Sequence, residues 1–342
     1  MAILGGGGFS ASDPIYVDTI ESFKEVFEDQ TNKYTHIAFP KVYDGPKVID
    51  LRARGWNPIH IGYSAPLSIY RYVYFNGWTI LGLNVMDSWF FCPCTGSYGK
   101  TTYIYDLIIK NAYLLAVTAS TCCFCNSEGG YTYFVRCKFS AIVDANNNHA
   151  SLMWPQYTPY GGGDTGRRVS ASQCSFNIEL HTQSSGGNNS DRQVKVIGNC
   201  NNPNGNYGDM INCLFNTISP FYRAGNNSNF YIYEGVFRFC KWTGTFDLYT
   251  RFHYFIRGEN NSAYNVIDTD IYARSTSGGD TAPYVRFGSG INLINTDRVH
   301  SVSSTIGYGN LARCNRVTQA QMLDREYLNS IEFICGETPS SP

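Results

Sequence analysis

Apolar and polar residues alternate along this chain in short runs, and one phrase recurs among them: a polar or thiol residue, a spacer, then an aromatic. It reads Asn76-Gly77-Trp78, Asn111-Ala112-Tyr113, Cys137-Lys138-Phe139, Cys174-Ser175-Phe176, Cys213-Leu214-Phe215 and Cys240-Lys241-Trp242, with a looser copy at Ser262-Ala263-Tyr264. Successive copies begin 35, 26, 37, 39, 27 and 22 residues apart. The flanks alternate with period two, as over residues 134–143 and 210–218. Residues two apart on a strand face the same way, so the small residue and the aromatic of each copy share a face. A strand unit of this size cannot bury its apolar face alone. Stacking each on the next buries a continuous core, which predicts a solenoid. The shortest steps suit one rung of a right-handed parallel β-helix, and the longer ones the same rung with about 10 to 15 inserted residues. The pattern predicts an aromatic ladder and, beside it, an asparagine ladder that changes to cysteine.

Helical period appears at the two ends. Ile20, Phe23, Val26 and Phe27 make one apolar stripe over residues 18–27, with Asp18 or Thr19 as N-cap. A short amphipathic helix ahead of the first strands fits a cap that closes an otherwise exposed terminal rung. Residues 36–39, 47–51 and 59–61 read as the first strands, punctuated by Pro40, Gly45-Pro46 and Asn57-Pro58. Residues 317–333 return to helical character with Thr318 as N-cap. The expected organisation is a Gly-rich leader (1–14), an amino-terminal helical cap (15–46), the β-helix (47–300) and a small carboxy-terminal cap and tail (301–342). The class is all-β.

Composition narrows the function. Charged residues make up 15% and aromatics 15% of the 342 residues, and the formal net charge is −1. No basic block points to nucleic acid or to an anionic membrane surface. No apolar run is long enough to span a bilayer, so no membrane insertion is expected. Met1-Ala-Ile-Leu and four glycines do not read as a signal peptide. The expected location is a virion released by lysis, or else the cytoplasm. Four of the 12 cysteines sit in the recurring phrase and face the expected interior as reduced, buried thiols. Cys92-Pro93-Cys94 and Cys122-Cys123-Phe124-Cys125 match no closed zinc spacing. No metal and no cofactor are expected.

The long interruptions at residues 146–168, 181–191 and 199–209 follow a rung phrase at similar offsets and are expected to emerge near one another. Such inserts commonly form a solenoid's binding surface. The longest carries Trp154, Tyr157, Tyr160, Asp164, Arg167 and Arg168. Aromatics with a polar tip, joined by directed hydrogen-bonding groups, suit sugar faces and hydroxyls. No catalytic residue is assigned. Candidate carboxylates for joint acid/base work are Asp268 and Asp270, two apart on an expected strand. No nucleophile elbow, phosphate-binding loop or zincin helix appears.

The ladder phrases and the preceding amphipathic helix resemble the right-handed β-helix superfamily of pectate lyases, polygalacturonases and phage tailspikes. The closing phrase at residues 318–333 also looks like the closing segment of many β-helical and repeat-bearing surface or phage proteins. The polygalacturonase pattern is incomplete: Asn295-Thr296-Asp297 is present, but Gly-His-Gly and Arg-x-Lys are not. The resemblance implies host-surface polysaccharide as ligand, other virion proteins as partners and a homotrimer. The leading expectation is therefore a non-enzymatic phage virion protein (tailspike-, fibre- or decoration-like) that attaches to the host by binding glycan. Two alternatives stand beside it: a polysaccharide lyase or glycoside hydrolase, and a purely structural assembly or capsid protein.

Overall fold

In the computed structural model the described residues are 7–28, 34–56, 71–91, 101–117, 122–126, 131–145, 150–154, 168–181, 194–198, 209–222, 230–233, 236–248, 253–256, 264–267, 270–275, 291–294, 299–301 and 314–316. Most of them are strands, and the class is all-β. Among them the strands form three sheets, of ten, six and eleven strands, and every pairing between strands is parallel.

From Arg71 to Ile256 the chain visits the ten-stranded, the eleven-stranded and the six-stranded sheet in turn, then returns to the first. One circuit runs Tyr131–Val135, Lys138–Ala145, Ala150–Trp154, and the next opens at Arg168–Ser172. Register is kept across the ten-stranded sheet. Ile15, Ile37, Val73, Ile104, Phe134, Ala171, Met210, Phe237, Val266 and Leu293 form one unbroken column of paired positions. A single slip would turn this apolar column outward, so burial fixes the register.

The expected aromatic ladder is present in the eleven-stranded sheet. Phe139, Phe176, Phe215 and Trp242 pair in sequence, and their rings stack with centroids 5.0, 4.8 and 4.9 Å apart. Beside it run Cys137, Cys174, Cys213 and Cys240, all buried. Each thiol donates to a carbonyl of the preceding circuit, as from Cys174 Sγ to Phe134 O at 3.5 Å and from Cys240 Sγ to Met210 O at 3.2 Å. Desolvation, with the hydrogen bonds to the Cys174 thiol, raises the pKa of Cys137 and Cys213, whereas the same bonds to its two neighbours lower that of Cys174. Cys122, Cys123 and Cys125 are also buried, and burial pushes the Cys122 thiol up to about 12.

Three copies of the phrase fall out of step. Trp78 takes the place of the cysteines: its carbonyl accepts from Ile108 N, as that of Cys137 accepts from Ser175 N. Tyr113 pairs with Ile142 on the outer side, while Ile109 occupies the aromatic column. Tyr264 opens a strand of the ten-stranded sheet. The shortest sequence steps therefore do not measure a circuit. The step of 27 from Cys213 to Cys240 does.

The turn between the ten- and eleven-stranded sheets explains the cysteine position. Asp106, Arg136, Gln173, Asn212 and Phe239 each sit there with φ of 52–56°. This left-handed residue reverses the pleat and sends the next one, Leu107 or a cysteine, inward. The strain is offset by stacking: Asp106 N donates to Val135 O, Arg136 N to Ser172 O, Gln173 N to Ile211 O and Asn212 N to Arg238 O, at 2.9–3.0 Å.

The helix Ile20–Glu28 lies close to the expected span. Its N-cap is Thr19 in a reciprocal capping box, with Ser22 N donating to Thr19 Oγ1 at 3.1 Å and Thr19 N to Ser22 Oγ at 3.0 Å. Phe23, Val26 and Phe27 are buried in the same core as the first strands. Residues 59–61 and 317–333 lie outside the described residues. No helix among the described residues is long and apolar enough to cross a membrane.

Candidate functional site

The sheets differ in what their outer faces carry. The described positions of Cys122–Asn126 and Val194–Ile197 in the six-stranded sheet are buried on both faces. The ten-stranded sheet alternates instead, and one outward column reads His36, Tyr72, Tyr103, Tyr133. Their rings stack with centroids 4.8, 5.3 and 5.4 Å apart and planes within 20° of parallel. A second column places Tyr74 against Tyr105 at 5.1 Å. All six rings are half-buried. In-register parallel pairing brings like side chains within one strand spacing, so tyrosines on successive circuits meet face to face.

One ion pair borders this face. Arg136 at the turn holds Asp106 of the preceding circuit through two hydrogen bonds, Nε to Oδ1 at 2.7 Å and Nη2 to Oδ2 at 2.9 Å. Its guanidinium carbon lies 5.8 Å from the centre of the Tyr105 ring. Burial and the neighbouring phenols raise the pKa of Tyr105, burial raises that of Tyr74, and burial lowers that of His36. The fold thus favours the neutral forms of Tyr74, Tyr105 and His36.

A smaller polar cluster lies on the outer face of the eleven-stranded sheet. Tyr113 Oη donates to Asp144 Oδ2 at 2.8 Å, and Asp144 pairs in register with His181. His181 Nε2 lies 2.6 Å from Glu179 Oε1. Asp144 Oδ1 is buried without a hydrogen-bond partner. Trp56, 41% exposed, stands 5.7 Å from the Tyr113 ring. Burial and the Asp144 carboxylate push the Tyr113 phenol up to about 12.

Of the residues singled out from sequence, Tyr157, Tyr160, Asp164 and Arg167 lie outside the described residues. Trp154 ends the strand Ala150–Trp154 and pairs with Asn126, and Arg168 begins the strand Arg168–Ser172 and pairs with Tyr131. The insert between them therefore re-enters the ten-stranded sheet directly beside Tyr133, which pairs with Ser170. The inserts do not all leave from one edge. Segments 155–167 and 199–208 join the six- to the ten-stranded sheet, whereas 182–193 joins the eleven- to the six-stranded sheet. Asp268 lies outside the described residues. The strand Tyr264–Ile267 belongs to the ten-stranded sheet, and Asp270 opens a strand of the eleven-stranded one, paired with Lys241.

The tyrosine face escaped the sequence reading, although it has a signature: Tyr-x-Tyr recurs at Tyr72/Tyr74, Tyr103/Tyr105 and Tyr131/Tyr133. No family model, no curated protein and no solved structure matches this chain.

Proposed function

We propose that the three parallel sheets are the faces of one right-handed parallel β-helix, and that the chain is a non-enzymatic virion component that attaches to a host surface by binding glycan. The repeated circuit through three parallel sheets, with register kept across the ten-stranded one, supports the first part. Parallel crossovers are right-handed in about 98% of cases, which supplies the hand. The tyrosine face carries the second part, because it offers amphipathic rings with polar tips on a rigid support. Host polysaccharide, neighbouring virion proteins and two further copies of the chain in a homotrimer are the proposed partners. Trp154, Tyr157, Tyr160, Asp164, Arg167 and Arg168 are proposed to border the same surface.

The test is retention of the purified chain on extracted host polysaccharide, with Tyr103→Ala/Tyr105→Ala and Trp154→Ala/Tyr157→Ala as variants. Attachment predicts loss of retention in the first and weakening in the second, both with unchanged thermal melting. Full retention by both would contradict it.

A polysaccharide-cleaving enzyme is the second reading, favoured by the Asp144–Tyr113 and Glu179–His181 pairs. It predicts depolymerisation of host polysaccharide, abolished by Asp144→Asn or Glu179→Gln and untouched by Asp270→Asn. An intact polymer after prolonged incubation would remove it.

A further inference from the structure

We infer that the amino-terminal edge of the eleven-stranded sheet docks an extended acidic segment of another protein chain by strand addition. This deepens the proposed assembly with neighbouring virion proteins and rests on that part of the reading. Val48–Asp50 is the last strand of this sheet. Lys47 O accepts from Thr79 N and Leu51 N donates to Leu81 O, both at 2.9 Å, so residues 47, 49 and 51 bond to the neighbouring strand. Parallel pairing uses alternate residues, which directs the N–H of Asp50 and the carbonyls of Val48 and Asp50 to the open side. None of these three groups has a hydrogen-bond partner among the described residues. The amino-terminal helix packs Phe23 against Phe39, beside the ten-stranded sheet, and leaves Asp50 exposed.

Side chains around the edge select the partner. Of the five large apolar side chains exposed among the described residues, Val42, Tyr43 and Trp56 lie here, Val42 at 87%. Tyr43 rests on Trp78, and Trp56 carries the edge onward by bridging to Asn84. Residues 41–54 hold four cations and two carboxylates, in a chain of net charge −1. Asp50 is taken by Arg52, whose Nε lies 3.0 Å from both of its oxygens. Lys41, Lys47 and Arg54 have no carboxylate partner among the described residues. The brevity of the strand, Pro46 and Lys47 discourage pairing with an uncharged strand. A strand that brings carboxylates turns the same cations into contacts. A second copy paired through this edge would set Lys47 and Arg54 near their own counterparts, so charge opposes that occupant.

The experiment titrates the full chain into labelled octapeptides that alternate valine with glutamate, lysine or serine, read by fluorescence anisotropy, with amide exchange followed at Asp50. The glutamate peptide is expected to bind, to weaken as salt rises and to slow exchange of the Asp50 N–H. Asp50→Pro removes the edge donor, and Arg54→Glu reverses an exposed charge. Each is expected to lose about tenfold or more, and Arg54→Glu to gain affinity for the lysine peptide. If Asp50→Pro lowers the melting temperature, Arg54→Glu alone decides. The inference is overturned if the glutamate peptide does not bind, if the lysine or serine peptide binds the unaltered chain as well, or if Arg54→Glu binds undiminished. A light-scattering mass that falls in Asp50→Pro with unchanged melting would put a second copy on the edge and overturn it too. Retention on host polysaccharide, read in parallel, is expected to persist in both variants. Its absence in the unaltered chain sinks glycan attachment whatever the peptides do, and failure of the peptides alone leaves glycan attachment standing.

Discussion

At the scale of single residues the turns govern the inner columns. Gln173 is exposed and left-handed at φ 56°, and its backbone N–H is committed to Ile211 O. Gln173→Gly should raise stability by up to about 1 kcal/mol, because glycine enters this region without steric cost. Gln173→Val should lower it, and chemical denaturation of both variants checks the pair. The thiols next to these turns should stay unmodified by an alkylating reagent until the chain unfolds, because their burial keeps the reagent out. Mass mapping that found Cys174 or Cys213 labelled in the native protein would contradict their placement. Tyr113 gives a pH test. Its folded pKa of about 12 lies above the ordinary value of 10.0, so the neutral phenol is favoured in the fold. The stability it confers is complete below pH 10 and is lost as pH rises toward 12. Asp144→Asn should bring its ionisation, followed by ultraviolet absorbance, down toward the ordinary value. The inward cysteines were legible because they sit two residues before an aromatic in an alternating run. The left-handed turns were not, since Arg136, Gln173 and Phe239 carry no glycine or asparagine signature.

At the scale of elements, one column supports the next. Phe176 lies between Phe139 and Phe215 with both ring planes 9° from its own, and it is almost fully buried. Phe176→Ala should cost about 3–5 kcal/mol, read from the denaturation midpoint, because the neighbours above and below are held by their own strands and cannot close the gap. This ladder was visible in the sequence because four copies of its phrase share spacing and flanks. Two copies mimic the phrase: Asn111-Ala112-Tyr113 turns its aromatic outward, because a shift in register exchanges the two faces of a strand, and Asn76-Gly77-Trp78 sets its aromatic at the inward cysteine position. The tyrosine face is illegible for the same reason. Tyr72, Tyr103 and Tyr133 lie about 30 residues apart, and only the pairing of their strands makes them neighbours.

At the scale of the molecule, the expected all-β class and the parallel pairing are present, and the helix Ile20–Glu28 packs Phe23 and Phe27 against the first strands. The binding surface is proposed on a sheet face, and Trp154 and Arg168 end and begin the strands on either side of the long insert. Inserts differ in length and composition from circuit to circuit, so periodicity carries no information about where they point. The most direct test of a β-helix is whether distance along the turns counts circuits and not residues. Spin labels attached by non-cysteine chemistry at Asp106, Gln173 and Phe239 would measure it. The turns at 106 and 173 are two circuits apart, and those at 106 and 239 four. Backbone separations of about 10 Å and about 19 Å are therefore expected, in the ratio one to two. Separations that fail to double from the first pair to the second would contradict the stacked circuits and the tyrosine face built on them.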